Sequence, residues 1–148
     1  HPDASLANVC DAYVDLIDGL LFRDDSTSVK ELLLTATRGL PRRELTKLVE
    51  GSRPEREVVG RTLSTACYIS DSWPAVLYFA CKHQQDPLKA LQLNAEVGGD
   101  NVHRGSVLGV LLGLIHGESV GDLFDQLTEQ ASIYRAIERL IPTTASTG

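Results

Sequence analysis

The stretch "VGGDNVHRGSVLGVLLGLIHG", residues 97–117, decides how this chain is read. Gly98 and Gly99 stop one helical pattern, because glycine adopts backbone angles that a side chain forbids. A second pattern starts a few residues later, and Asp100 and Asn101 are both residue types that cap helix N-termini. The helix that follows is predicted to run to about His116, with Gly117 as its stop. Gly105, Gly109, Gly113 and Gly117 recur every four residues. That spacing is about 400° of rotation, so they form one slowly drifting stripe. Each glycine costs a helix about 1 kcal/mol against alanine, which predicts that other backbone packs closely along the stripe. Val107, Leu108, Val110, Leu111, Leu112, Leu114 and Ile115 cover the remaining sides, so this helix is expected at the centre of the fold.

Helical spacing recurs in both directions from there. Leu6, Val9, Cys10, Tyr13, Val14, Ile17, Leu20 and Leu21 follow i, i+3, i+4, i+7, with Asp11, Asp15 and Asp18 turned outward. Ser5 is the expected N-cap of that helix, and Arg23 suits its C-terminus. Further helices are predicted over 28–37, stopped by Gly39, and over 42–49 behind Pro41. Residues 55–67 read as a helix with Gly60 inside it. In "DSWPAVLYFACKH", residues 71–83, Asp71 or Ser72 is the expected cap, with Pro74 in the first turn where its missing N–H costs nothing. Pro87 opens the helix that reaches the glycine pair. Shorter helices over 120–127 and 133–141 precede a polar tail, residues 142–148. No strand-type alternation persists. The prediction is therefore one all-α domain, a compact multi-helix orthogonal bundle of roughly seven to nine short helices.

Composition narrows the function classes. A chain of 148 residues with 43% hydrophobic and 23% charged residues is long and apolar enough to bury a core. Its net charge of −6 argues against nucleic acid or an anionic membrane as partner, since both need clustered Lys and Arg. The apolar run 107–115 is too short to span a bilayer. Three widely spaced cysteines, Cys10, Cys67 and Cys81, contain no CxxC. They predict small core residues in a reducing, cytoplasmic setting rather than a disulfide framework. The chain has no methionine and begins at His1, which predicts a piece of a longer protein.

The glycine pair and the helix start also suggest chemistry. A helix N-terminus presents free N–H groups and partial positive charge, and adjacent glycines let a ligand approach the backbone. Arg104 in the first turn suits a bidentate contact to phosphate or carboxylate. Asp100 with His103 suggests a metal pair, although two ligands do not specify a site. Helix capping by Asp100 with no further role stands as the alternative. No GK[ST] follows the glycines and no GxSxG occurs, so neither a P-loop nor a hydrolase elbow is present. Trp73 reads as a packing residue, with stacking on a base as the alternative. His83 and His116 sit where a histidine suits a helix C-terminus.

The segment "EVGGDNVHRGSVLGVLLGLIHG", preceded by "DSWPAVLYFACKH" with Pro74, Ala75 and Tyr78, resembles the C-terminal half of the ADP-ribosylglycohydrolase (crystallin J1-like) family. "HPDASLANVCDAYVDLIDGLL" is similar to that family's His-x-x-Pro-type segment leading into a long helix. The resemblance implies an all-α fold, hydrolysis of ADP-ribosyl linkages, and two divalent cations, usually magnesium. It implies Asp100 as a metal ligand, and Gly98, Gly99, Asn101, His103 and Arg104 as contacts to an ADP-ribose-type ligand. Val102 falls where the family has its second metal-binding aspartate, and His103 where it has threonine. The family's N-terminal acidic motif and Thr-Asp-Asp do not occur here; Asp24 and Asp25 lack that threonine. The resemblance thus implies a missing N-terminal half as partner, and no activity for this chain alone.

Two functions from different classes follow. One is the C-terminal part of an ADP-ribosyl hydrolase, in which residues 98–104 form one wall of the site. The other is a pseudoenzyme or ADP-ribose/nucleotide-binding helical module with a degenerate metal site. A purely structural helical domain is the third possibility, and the polar cluster at the helix start weighs against it.

Overall fold

A computed structural model describes residues 3–117 and 121–140 as an all-α chain. Its elements are α1 (Ala4–Leu21), α2 (Val29–Thr35), α3 (Arg42–Glu50), α4 (Glu55–Glu57), a wide turn (Val58–Thr62), α5 (Ile69–Lys82), α6 (Pro87–Val97), α7 (Asn101–His116), α8 (Gly121–Asp125) and α9 (Gln130–Leu140). Among the described residues the only β-type pairing is an isolated bridge between Val59 and Leu63. The all-α prediction holds. Residues 120 and 141 of the two predicted C-terminal helices and the tail 142–148 lie outside the described residues.

The sequence explains most helix starts. Asp3, not Ser5, caps α1: its carboxylate accepts from the amides of Ser5 at 2.8 Å and Leu6 at 3.0 Å. Ser28 caps α2 and Asp86 caps α6, each through the amide three residues on. Arg23, placed at the end of α1, donates to Leu20 O and reaches across to Leu114 O at 2.8 Å and Ile115 O at 3.0 Å. One guanidinium therefore serves the exposed carbonyls of two helix ends.

The centre of the fold is α5, which corrects the expectation for the 101–116 helix. Every residue from Trp73 to Cys81 is buried, because α1, α2, α3 and α7 all pack around this helix. Trp73 is a packing residue: its indole N–H donates to Ala36 O at 2.9 Å and its ring meets Tyr13 edge-on. In α7 only Arg104, Leu108, Leu111 and Leu112 are buried, while Val102 is 76% and Val110 45% exposed. The glycine stripe fails as a packing seam. A Cβ at Gly105 would meet Asn94 Nδ2 at 3.1 Å, but one at Gly109, Gly113 or Gly117 would meet nothing within 4 Å. Apolar composition on all sides marks a helix that is able to be buried, without choosing which sides are.

Three further expectations change. Residues 55–67 are not one helix. The chain turns at Val59 (ψ 90°) and Gly60 (φ 151°), where only glycine is at ease, and Gly60 N–H donates to Leu63 O at 2.7 Å. Pro74 lies inside α5, five residues after its first, because the helix starts at Ile69. Asp71 instead accepts from the amide of Ser64 at 3.1 Å. Cys10 and Cys67 are exposed, whereas Cys81 is buried and its thiol is pushed up to about 12 by desolvation. No helix among the described residues is long and apolar enough to cross a membrane.

Candidate functional site at the start of helix α7

The loop between α6 and α7 is built around a buried charge. Arg104 is 1% exposed and turns inward, beneath the loop. Its Nε donates to Asn94 Oδ1 at 2.8 Å and its Nη2 to Gly98 O at 2.9 Å; longer bonds reach Asn94 O at 3.5 Å and Thr65 O at 3.4 Å. Burial lowers the guanidinium pKa, and the Asp100 carboxylate opposes that shift. No carboxylate lies within ion-pair distance of Arg104 among the described residues. The guanidinium fork ties α6, through Asn94, to the loop carbonyl of Gly98.

The two glycines have different tasks. Gly99 (φ 65°) lies against the 63–68 segment: a Cβ there would stand 2.2 Å from Thr65 O. The neighbouring Asp100 N–H donates to that same carbonyl at 2.9 Å. Gly98 (φ 72°) faces open space, and a Cβ there would meet nothing within 4 Å. Gly99 is thus the glycine that admits a neighbouring segment, while Gly98 supplies the positive-φ turn, its N–H bonded to Ala95 O and its carbonyl to Arg104.

Asp100 occupies the N-cap position of α7, yet its carboxylate caps no amide. Its Oδ1 instead pairs with His103 Nδ1 at 2.5 Å. The His103 side chain is 83% exposed, and that of Asp100 is 22% exposed. Asn101 stitches α7 to α6: its Nδ2 donates to Ala95 O at 3.3 Å, and its own carbonyl accepts from Asn94 Nδ2 at 2.9 Å.

Asp100, His103 and Arg104 all line a cavity of about 270 Å³. Its floor is mostly apolar, with Leu6, Val9 and Tyr13 from α1 and Trp73 and Val76 from α5. Cys10, Cys67 and Ser72 add small polar atoms to the wall. A mainly apolar concavity with a few convergent polar groups is the usual form of a small-molecule site.

The loop offers a divalent cation one carboxylate, Asp100. Mg²⁺ takes an octahedron of oxygens and is commonly held by one or two carboxylates. This loop has one carboxylate, already engaged by His103, with exposed Val102 beside it. Among the described residues no three His, Cys, Asp or Glu side chains stand close enough to hold an ion.

Of the sequence-derived residues, the structure brings Asp100, His103 and Arg104 to one cavity, and places Gly98 and Asn101 on the supporting loop. Two supporting residues were not legible. Thr65 acts through its carbonyl, which no sequence pattern marks. Asn94 is 4% exposed. A poor helix former in mid-helix, followed ten residues later by an arginine, was its one signal.

Among known proteins, the family model of the ADP-ribosylglycohydrolases matches residues 1–147. No curated protein and no solved structure matches significantly. With nearly the whole length matched, this chain belongs to the ADP-ribosylglycohydrolase family.

Proposed function

We propose that residues 98–103 form one wall of an ADP-ribosyl-binding site in a hydrolase that cleaves ADP-ribosyl linkages. Family membership supports the hydrolase class. The observation that carries the reading is the Asp100 carboxylate: it sits at an N-cap without capping and stands with His103 on the wall of the cavity. The Asp100 carboxylate pairs with His103 through one oxygen, and its other oxygen is equipped to accept from a ribose hydroxyl. The apolar wall made by Tyr13, Trp73 and Val76 suits the planar part of such a ligand. Arg104 and Asn94 position the loop rather than touching the ligand.

A second reading is that these 148 residues bind the ligand without cleaving it. The single carboxylate in the loop and the exposed Val102 favour it. Calorimetry with ADP-ribose, with and without magnesium, tests both. The expected result is magnesium-independent binding, weakened at least tenfold by Asp100→Ala, with no turnover by this chain. Equal affinity for wild type and Asp100→Ala would remove Asp100 from the site; turnover by the chain would refute the second reading.

A further inference from the structure

A smaller cavity adjoins the one described above, with Val9 and Ile69 lining both. Its volume is about 160 Å³, room for a tetrahedral oxyanion or roughly five waters at about 30 Å³ each. Arg38 reaches it from the segment after α2, Ser5 and Asn8 from α1, and Ser70 from α5. Three separate parts of the chain thus bring polar side chains to one concavity.

Arg38 is the unusual member. It is half-buried, and its guanidinium makes one donation, to its neighbour's carbonyl, Thr37 O, at 2.8 Å. Four guanidinium donors remain, and no carboxylate pairs with it among the described residues. Asp15 lines the groove on the other side of Arg38 without forming an ion pair. The hydroxyl of Ser5 and the amide of Asn8 also have no partner among the described residues. Ser70 Oγ donates to Asp71 Oδ2 at 3.3 Å, and its lone pairs are not what an anion needs; the guanidinium is the main attraction. The unused guanidinium donors are open to solvent at the concavity, and an oxyanion there offers opposite charge and a pair of acceptors that matches the fork.

We propose that the Arg38 cavity binds a phosphate group, and that it is a subsite for the phosphate of a ligand whose apolar part fills the larger cavity. The second clause rests on the function proposed above; the first does not. Arg38 makes the bidentate contact, and Ser5 and Asn8 donate the remaining hydrogen bonds. Val9 and Ile69 form the partition over which one ligand would lie.

The test is an NMR titration of the full 148-residue chain, first with inorganic phosphate and then with AMP and adenosine. Phosphate is expected to shift the amides of Gly39 and Ser70 with saturation. Arg38→Gln should weaken it at least tenfold at unchanged melting temperature, and Arg38→Lys should restore part of the loss. Phosphate shifts that map elsewhere, or a folded Arg38→Gln protein that binds phosphate like wild type, would overturn the site. If Arg38→Gln does not fold, the wild-type shift map alone decides. AMP binding tighter than both phosphate and adenosine supports the joined cavities. AMP binding no tighter than phosphate refutes the joining while leaving the Arg38 site intact. Asp100→Ala serves as the separating control: it abolishes ADP-ribose contact at the α7 loop if the proposed function is right, and leaves phosphate binding at Arg38 unchanged either way.

Discussion

Replacing Arg104 with methionine separates two accounts of a buried charge. Methionine keeps most of the length and apolar stem but removes the guanidinium. Two well-formed bonds disappear, to Asn94 Oδ1 at 2.8 Å and Gly98 O at 2.9 Å. A hydrogen bond from a charged donor contributes about 1.5–3 kcal/mol, so the gross loss is about 3–6 kcal/mol. The two longer bonds, at 3.4 and 3.5 Å, add little. Against this, the guanidinium no longer has to be desolvated, which offsets part of the loss. The net expectation is a destabilisation of about 2–4 kcal/mol. With an m-value of about 2 kcal/mol/M, urea denaturation should show the midpoint falling by about 1–2 M. Arg104→Lys should be at least as damaging, since an ammonium keeps the buried charge but cannot span Asn94 and Gly98 as a fork. An Arg104→Met protein as stable as wild type would show that desolvation dominates and that the loop does not depend on this network.

The glycine pair and the α5 terminus supply two more predictions. Gly99→Ala should destabilise more than Gly98→Ala in the same urea assay. Both take on backbone strain of about 1–3 kcal/mol, but only Gly99 has Thr65 O at 2.2 Å from the new carbon; the reverse order would refute the close approach. His83 sits at the end of α5 with Glu55 Oε1 at 3.2 Å, and desolvation lowers its pKa, with Glu55 pulling the other way. The unfolded state then binds a proton that the folded state resists, so stability is full above the ordinary histidine range and falls as pH drops through it toward the lowered folded value. Melting temperature against pH should show that loss in wild type and a flatter profile in His83→Gln; parallel profiles would exclude His83 as the cause.

Much of the architecture was legible because helices are local. The i, i+3, i+4 spacing and the cap residues of 28–37, 42–49 and 87–97 placed α2, α3 and α6 to within a few residues, since a helix closes its hydrogen bonds within its own span. The failures were local as well. A cap at Asp71 or Ser72 with Pro74 in the first turn puts the start of α5 a few residues too late, since the helix begins at Ile69, and Gly60 breaks the helix that the spacing predicts over 55–67. In both places short-range bonds decided: Asp71 accepts from the amide of Ser64, and Gly60 closes a turn onto Leu63 O.

The candidate site divides along the same line. Residue type and order were enough to mark Gly98, Gly99, Asp100 and His103 as a polar helix tip, because an N-terminus and its glycines are properties of consecutive residues. Tertiary packing alone assigned their tasks. Thr65, far away in the chain, brings the carbonyl that needs Gly99 bare and takes the Asp100 amide. Asn94 on the preceding helix holds Arg104 inward, where it supports the loop through Gly98 O. The centre of the fold moved from α7 to α5 for a related reason. Both helices are apolar, but burial depends on how many neighbours surround a helix, and periodicity carries no count of neighbours.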